Sequence, residues 1–194
     1  MTDQQIRAHW APFAIAAHGT HADAPRSLTS KPGIGDRLRA AAFAEIQARD
    51  AFLWGAEHFS DAPQNLRTAW RGLAAAEQRH LDWLLKRMQE LEVDIAERKV
   101  SDLLWISLVS CKTAQEFAIY MASAEERGRR AGERFHQGLL EIDPISAEIF
   151  GKIAREEVEH IELARKHFPD AWAEHEKCKN PTTWNRVPHR GPEV

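Results

Sequence analysis

Three pairs in the chain set a glutamate three residues ahead of a histidine: Glu77/His80, Glu133/His136 and Glu157/His160. On an α-helix this spacing leaves the two side chains about 60° apart and one turn along, so a carboxylate oxygen and an imidazole nitrogen reach the same point. One such pair is a weak signal, because a helical glutamate is ordinarily a solvated one. Register separates two of the pairs from the third. Glu45 precedes Glu77 by 32 residues (77 − 45), and Glu125 precedes Glu157 by 32 (157 − 125). The set 45, 77, 80 therefore recurs at 125, 157, 160, an offset of 80, and Ala44/Ala124, Arg49/Arg129, Ala51/Ala131 and Ala74/Ala154 echo it. This is the pattern of a duplicated helical hairpin, each copy supplying one glutamate and one Glu-x-x-His pair. Glu133 is turned roughly 80° from Glu125 and falls outside the set.

Two such halves related by a pseudo-two-fold axis bring four carboxylates and two imidazoles to the centre of a bundle. Four carboxylates in an apolar interior repel one another, and two divalent cations balance them charge for charge. A ligand set of oxygen and nitrogen without thiolate suits iron, manganese or a mixed pair. The expected ligands are Glu45, Glu77, His80, Glu125, Glu157 and His160. Tyr120, the sole tyrosine, stands about one turn before Glu125 and is a candidate for the layer behind the ligands, against the plainer reading of a core tyrosine.

The elements that must hold these residues are legible from periodicity. Leu38, Ala41, Ala42, Ala48, Phe52, Ala56 and Phe59 recur at helical spacing from Asp36 onward. Ser60-Asp61-Ala62-Pro63 breaks that helix and starts a second through Leu66, Trp70, Leu73, Leu81, Leu84 and Leu91, and the short link makes the two antiparallel neighbours. The pattern loosens between Val93 and Lys112, with a short helix expected in SDLLWISLVS; that stretch can cross the bundle's length. Thr113-Ala-Gln-Glu116 is a capping box opening the third helix, and Asp143-Pro144 opens the fourth, which Pro169 closes. The expected organisation is an N-terminal arm over 1–35, an all-α four-helix bundle of two hairpins joined by a long crossover over 36–168, and an irregular C-terminal strap over 169–194.

Over roughly Asp36 to Phe168 the sequence resembles the ferritin-like superfamily, whose members include bacterioferritins, rubrerythrins, ribonucleotide reductase small subunits and bacterial multicomponent monooxygenases. The resemblance rests on the six residues above. It implies that Glu77 and Glu157 bridge two metals, that Glu45 and Glu125 are single-metal carboxylates, and that His80 and His160 each give one nitrogen. The chain departs from rubrerythrins, having Gly128 where they carry a further carboxylate and lacking a four-cysteine domain.

The function these residues and the resemblance imply is that of an oxidoreductase with a di-iron centre that activates O2 or peroxide to oxidise a small-molecule substrate, fed by an electron-donor protein. Two alternatives stand beside it. A tRNA-hydroxylase-like enzyme draws on the Arg127, Arg129, Arg130 and Arg134 cluster, against which stands a net charge of −3. A non-enzymatic iron-binding or storage protein would need a cage, whereas the arm and tail suit a homodimer. Two cysteines, Cys111 and Cys178, are too few for a disulfide framework, the N-terminus makes a poor signal peptide, and charge interrupts every apolar run. A soluble cytoplasmic protein of 194 residues is the expectation.

Overall fold

Ser30 decides where the first long helix begins. Its hydroxyl accepts a hydrogen bond from the Gly33 amide, and Pro32 supplies helical φ in the first turn. In the computed structural model, which describes Ile6, Arg7 and residues 9–178, helix α1 therefore runs Lys31–His58, five residues earlier than apolar periodicity indicates (36 − 31). Two glycines hid that start. A Cβ on Gly33 would collide with the Ser27 carbonyl, so the residue that lowers helix propensity is the one that lets the chain turn in. Helix α2 spans Gln64–Glu90, the short α3 Leu103–Val109, α4 Ala114–Leu139, α5 Pro144–His167 and α6 Pro169–Cys178.

α1 and α2 form one antiparallel hairpin, fastened at its turn by Arg67 Nε donating to the Ala56 carbonyl at 2.7 Å. The expected side-chain cap at that turn is absent: Pro63 itself is the N-cap, and Asp61 instead accepts from the Ala114 amide at 3.0 Å, serving the start of α4. α4 and α5 form the second hairpin, where Gly132 lies close to Phe150 and Ala154. Thr113 accepts from the Glu116 amide as a capping box requires, while the Glu116 carboxylate reaches the Lys112 amide. Asp143 caps α5 and also binds Arg87 of α2 at 2.6 Å, tying the two hairpins together at one end. The crossover 91–113, with α3 inside it, carries the chain back along the bundle. The architecture is the ferritin-like four-helix bundle, and no described helix is long and apolar enough to cross a membrane.

Two expectations for the ends of the chain need correction. The N-terminal arm, though irregular, is part of the core: Trp10 is fully buried, donates Nε1–H to Asp50 at 2.8 Å and meets Phe43 and Trp105 edge-on. Arg26 further along the arm clamps Asp36 and Glu97. The tail is not irregular from 169 onward, because Pro169 begins α6, which buries Trp172. A proline that ends one helix is equally suited to the first turn of the next. The rest of the expected strap, 179–194, lies outside the described residues.

Candidate metal centre

Each of the four long helices turns one or two polar side chains inward at the same level of the bundle. α1 gives Glu45, α2 Glu77 and His80, α4 Glu125, α5 Glu157 and His160. Glu77 and His80 are entirely buried, and Glu45, whose side chain is 12% exposed, is the most open of the six. Their ligand atoms fall into two overlapping groups, each with all atoms within 4.8 Å of one another: Glu45, Glu77, His80 and Glu157, and Glu77, Glu125, Glu157 and His160. The two carboxylates common to both are Glu77 and Glu157, the residues of the duplicated Glu-x-x-His pairs. Both imidazoles present Nδ1 to the cluster. His80 Nδ1 lies 3.3 Å from Glu157 and 3.5 Å from both Glu45 and Glu77, and His160 Nδ1 lies 2.7 Å from Glu77 and 3.1 Å from Glu157.

These close approaches are not aligned as hydrogen bonds. Both carboxylate oxygens of Glu77, one each of Glu125 and Glu157, and Nδ1 of both histidines are buried polar atoms with no hydrogen-bond partner. Six such atoms pointing at one another in an apolar interior are costly unless a cation or protons sit among them.

Without a cation, protons must do the balancing. Burial opposes charge on Glu45 and Glu125, and the neighbouring carboxylates add to this, so both are held well above the ordinary carboxylate range. Glu77 and Glu157 are also disfavoured by burial, but the facing imidazoles bring both below it. Burial works against charge on the histidines too. The carboxylates around them prevail, lifting His80 to about 12 and His160 to about 10. At neutral pH two imidazolium rings then face the anionic Glu77 and Glu157, and the upward shift of Glu45 and Glu125 favours their neutral forms. Four ionised carboxylates and neutral imidazoles are balanced by divalent cations, so the donor set fits such ions bound in exchange for protons.

One residue that spacing could not reveal stands behind this set. His80 Nε2 lies 3.1 Å from the carboxylate of Glu156. An ionised carboxylate only accepts, so Nε2 keeps its proton when the ring is neutral, and Nδ1 is then the atom offered to the cluster. Glu156 is next to a ligand in sequence but about 100° away around α5, and no periodicity marks it. Tyr120, by contrast, makes no hydrogen bond to any of the six; the Arg127 guanidinium lies 5.9 Å from its ring. Glu133 and His136 are likewise outside the centre, the first pairing with Arg129 and the second bonding the Ala147 carbonyl at 2.8 Å.

Residues 13–190 match the family model described as "Protein of unknown function (DUF455)". The chain belongs to that family. Among solved structures this DUF455 protein is similar to the dodecameric thioferritin, a bacterioferritin-related protein, of Bacteroides fragilis: 19% identity, 78% of this chain and 93% of that one covered, TM-score 0.58. At that identity the likeness establishes the ferritin-like fold. Comparison with curated proteins yields no match.

Proposed function

We propose that this DUF455 protein binds two iron or manganese ions through Glu45, Glu77, His80, Glu125, Glu157 and His160 and acts as an oxidoreductase on an organic substrate. The observation that carries the reading is the set of six orphaned buried atoms, all facing one point and drawn from both copies of the duplicated motif. When bound, such a metal pair supplies two-electron redox chemistry with O2 or peroxide. The chain does the rest. Glu77 and Glu157, common to both ligand groups, would hold the two ions together, Glu156 would fix the tautomer and orientation of His80, and Phe52, edge-on to His160 at 6.3 Å, would help to keep bulk water from that side. A protein partner would deliver electrons.

A second reading, iron binding or storage without catalysis, draws on the likeness to a dodecameric thioferritin. Solution mass separates a cage from a dimer. The tRNA-modifying alternative is weakened by ion pairing, since Arg129 and Arg130 are engaged by Glu126 and Glu133.

The deciding measurement is metal analysis of protein purified without chelators, followed by anaerobic Fe(II) titration and exposure to O2. Two ions per chain and a transient optical band on oxygenation are expected. Absence of Fe(II) uptake sinks the reading. Uptake of many ions per chain into a large assembly favours storage.

A further inference from the structure

Between α1 and α4 the bundle does not close. Ala41, Ala44 and Ala48 on one helix face Ala124, Gly128 and Ala131 on the other, leaving an apolar cleft of about 340 Å³. That volume lies within the range of small-molecule sites. A Cβ on Gly128 would meet nothing within 4 Å, so the space is open there. The inner end of the cleft is lined by Glu45, Glu125 and Glu157, and the Glu125 and Glu157 side chains each carry a buried carboxylate oxygen with no partner.

The other end carries charge. Two acidic and basic neighbours there differ in how they are satisfied. Asp36 is engaged by Arg26, Arg39 and Arg98. Arg37 is half-buried and donates to the backbone carbonyls of Arg26 and Gly33, with no carboxylate opposite it among the described residues. A half-buried guanidinium without an anion, at the end of an apolar trough, is a natural seat for a carboxylate. From Arg37 to Glu45 the helix advances eight residues (45 − 37), or about 12 Å.

We propose that this cleft binds an elongated alkyl carboxylate, its acid group on Arg37 and its hydrocarbon chain lying along the alanine and glycine walls towards Glu45 and Glu125. The small side chains select a slim chain rather than a ring system, and the absence of polar groups along the walls rejects sugars and nucleotides, whose hydroxyls and phosphates would be stranded. Naming this molecule the substrate rests on the oxidoreductase reading. Its binding does not.

The test uses the full chain without metal, so that the probe's acid group cannot ligate an ion, and calorimetric titration with octanoate and with octanol. Octanoate is expected to bind about tenfold or more tighter than octanol, the difference a charge-assisted hydrogen bond makes. Arg37→Gln should bring octanoate to the level of octanol and leave octanol unchanged. Gly128→Leu should weaken both, with helical circular dichroism and solution mass unchanged. Equal binding of the two probes, no octanoate binding at millimolar concentration, or octanoate affinity untouched by Arg37→Gln overturns the proposal. So does a change in solution mass with Gly128→Leu, which makes the cleft a contact between copies. Fe(II) titration of the wild-type chain beside the octanoate titration keeps the readings apart: metal uptake without octanoate binding removes this inference alone, and octanoate binding without metal uptake removes the metal reading alone.

Discussion

The two copies of the hairpin keep the ligands in register and keep little else. In the His80 half, Glu156 holds the imidazole from behind at 3.1 Å, Trp83 lies 5.5 Å from the ring, and Lys152 covers Trp83 at 3.7 Å. In the His160 half the repeat-equivalent of Glu156 is Ala76 (156 − 80), which can hold nothing, and the ring meets the edge of Phe52 instead. One imidazole is thus backed by a half-exposed acid and a surface-reaching aromatic, the other by core. The difference teaches that duplication conserves what the proposed pair of ions would need in common, and that the residues behind the candidate ligands are free to make the two positions inequivalent.

The strongest way to break that comparison is to remove what the halves share. Glu77→Ala takes a carboxylate from both ligand groups, so metal-dependent stabilisation of both halves should vanish. At a metal concentration one hundred times Kd, binding stabilises the folded state by about 2.7 kcal/mol, which for a chain of this length raises Tm by about 5–10 °C. Wild type should show that rise with Mn(II) and Glu77→Ala should not. A full rise in the variant would mean that the carboxylates are not a shared bridge.

pH acts on both halves too, with opposite signs in the two forms. His80 and His160 are raised in the fold to about 12 and about 10, so without metal their contribution to stability is fully present below the unfolded value near 6.5 and is lost as pH rises towards those values. Metal must displace these imidazolium protons, so its affinity should climb with pH, by about tenfold per unit for each proton released per ion. Thermal scans from pH 6 to 8.5 with and without Mn(II) should diverge, metal-free Tm falling and the Mn(II)-induced rise growing. Parallel curves would show that no protons are exchanged for metal.

Glu156→Ala sharpens the comparison rather than breaking it. Loss of a carboxylate behind a ligating histidine costs about 10–100-fold in metal affinity, and here it should do so at one position of two. A calorimetric Mn(II) titration should resolve into two steps, with Glu156→Gln partly restoring the weaker one because its amide oxygen still accepts from Nε2. Equal weakening of both steps would contradict the asymmetry.

How far the sequence alone reveals a residue's part depends on whether that residue belongs to a repeat. Glu45 and Glu125 are ordinary helical glutamates alone, and the 80-residue offset is what lifts them out of the background. The helices are legible in their apolar stripes and in Thr113 and Asp143 as caps. Glu156 is invisible because it acts through the approach of α2 to α5, a tertiary fact that leaves no period in either segment of sequence. The arm is hidden for a related reason: Trp10 and Arg26 are held by long-range contacts with Asp50 and Glu97, which no period in the sequence marks. Ser30 and Pro32 do signal the start of α1, but Gly33 and Gly35 mask them.

The smallest effect compares two glycines one turn apart on α4. Ala48 in the first copy corresponds to Gly128 in the second (48 + 80), and Phe52 to Gly132 (52 + 80). Restoring the first copy's residue at 128 puts a Cβ where nothing lies within 4 Å, on an exposed helical turn, so the only term that changes is backbone freedom in the unfolded chain. Gly128→Ala should therefore stabilise by about 0.5–1 kcal/mol, a rise in Tm of roughly 1–4 °C. At Gly132 the same methyl would sit 3.2 Å from the Phe150 carbonyl oxygen and 3.3 Å from the Ala154 Cβ, between α4 and α5. Backbone must shift there, so Gly132→Ala should lose stability despite the identical gain in propensity. Chemical denaturation of both variants reads the contrast directly. If Gly128→Ala destabilises as Gly132→Ala does, then the space beside α4 is filled in solution, and the cleft between α1 and α4 is not open.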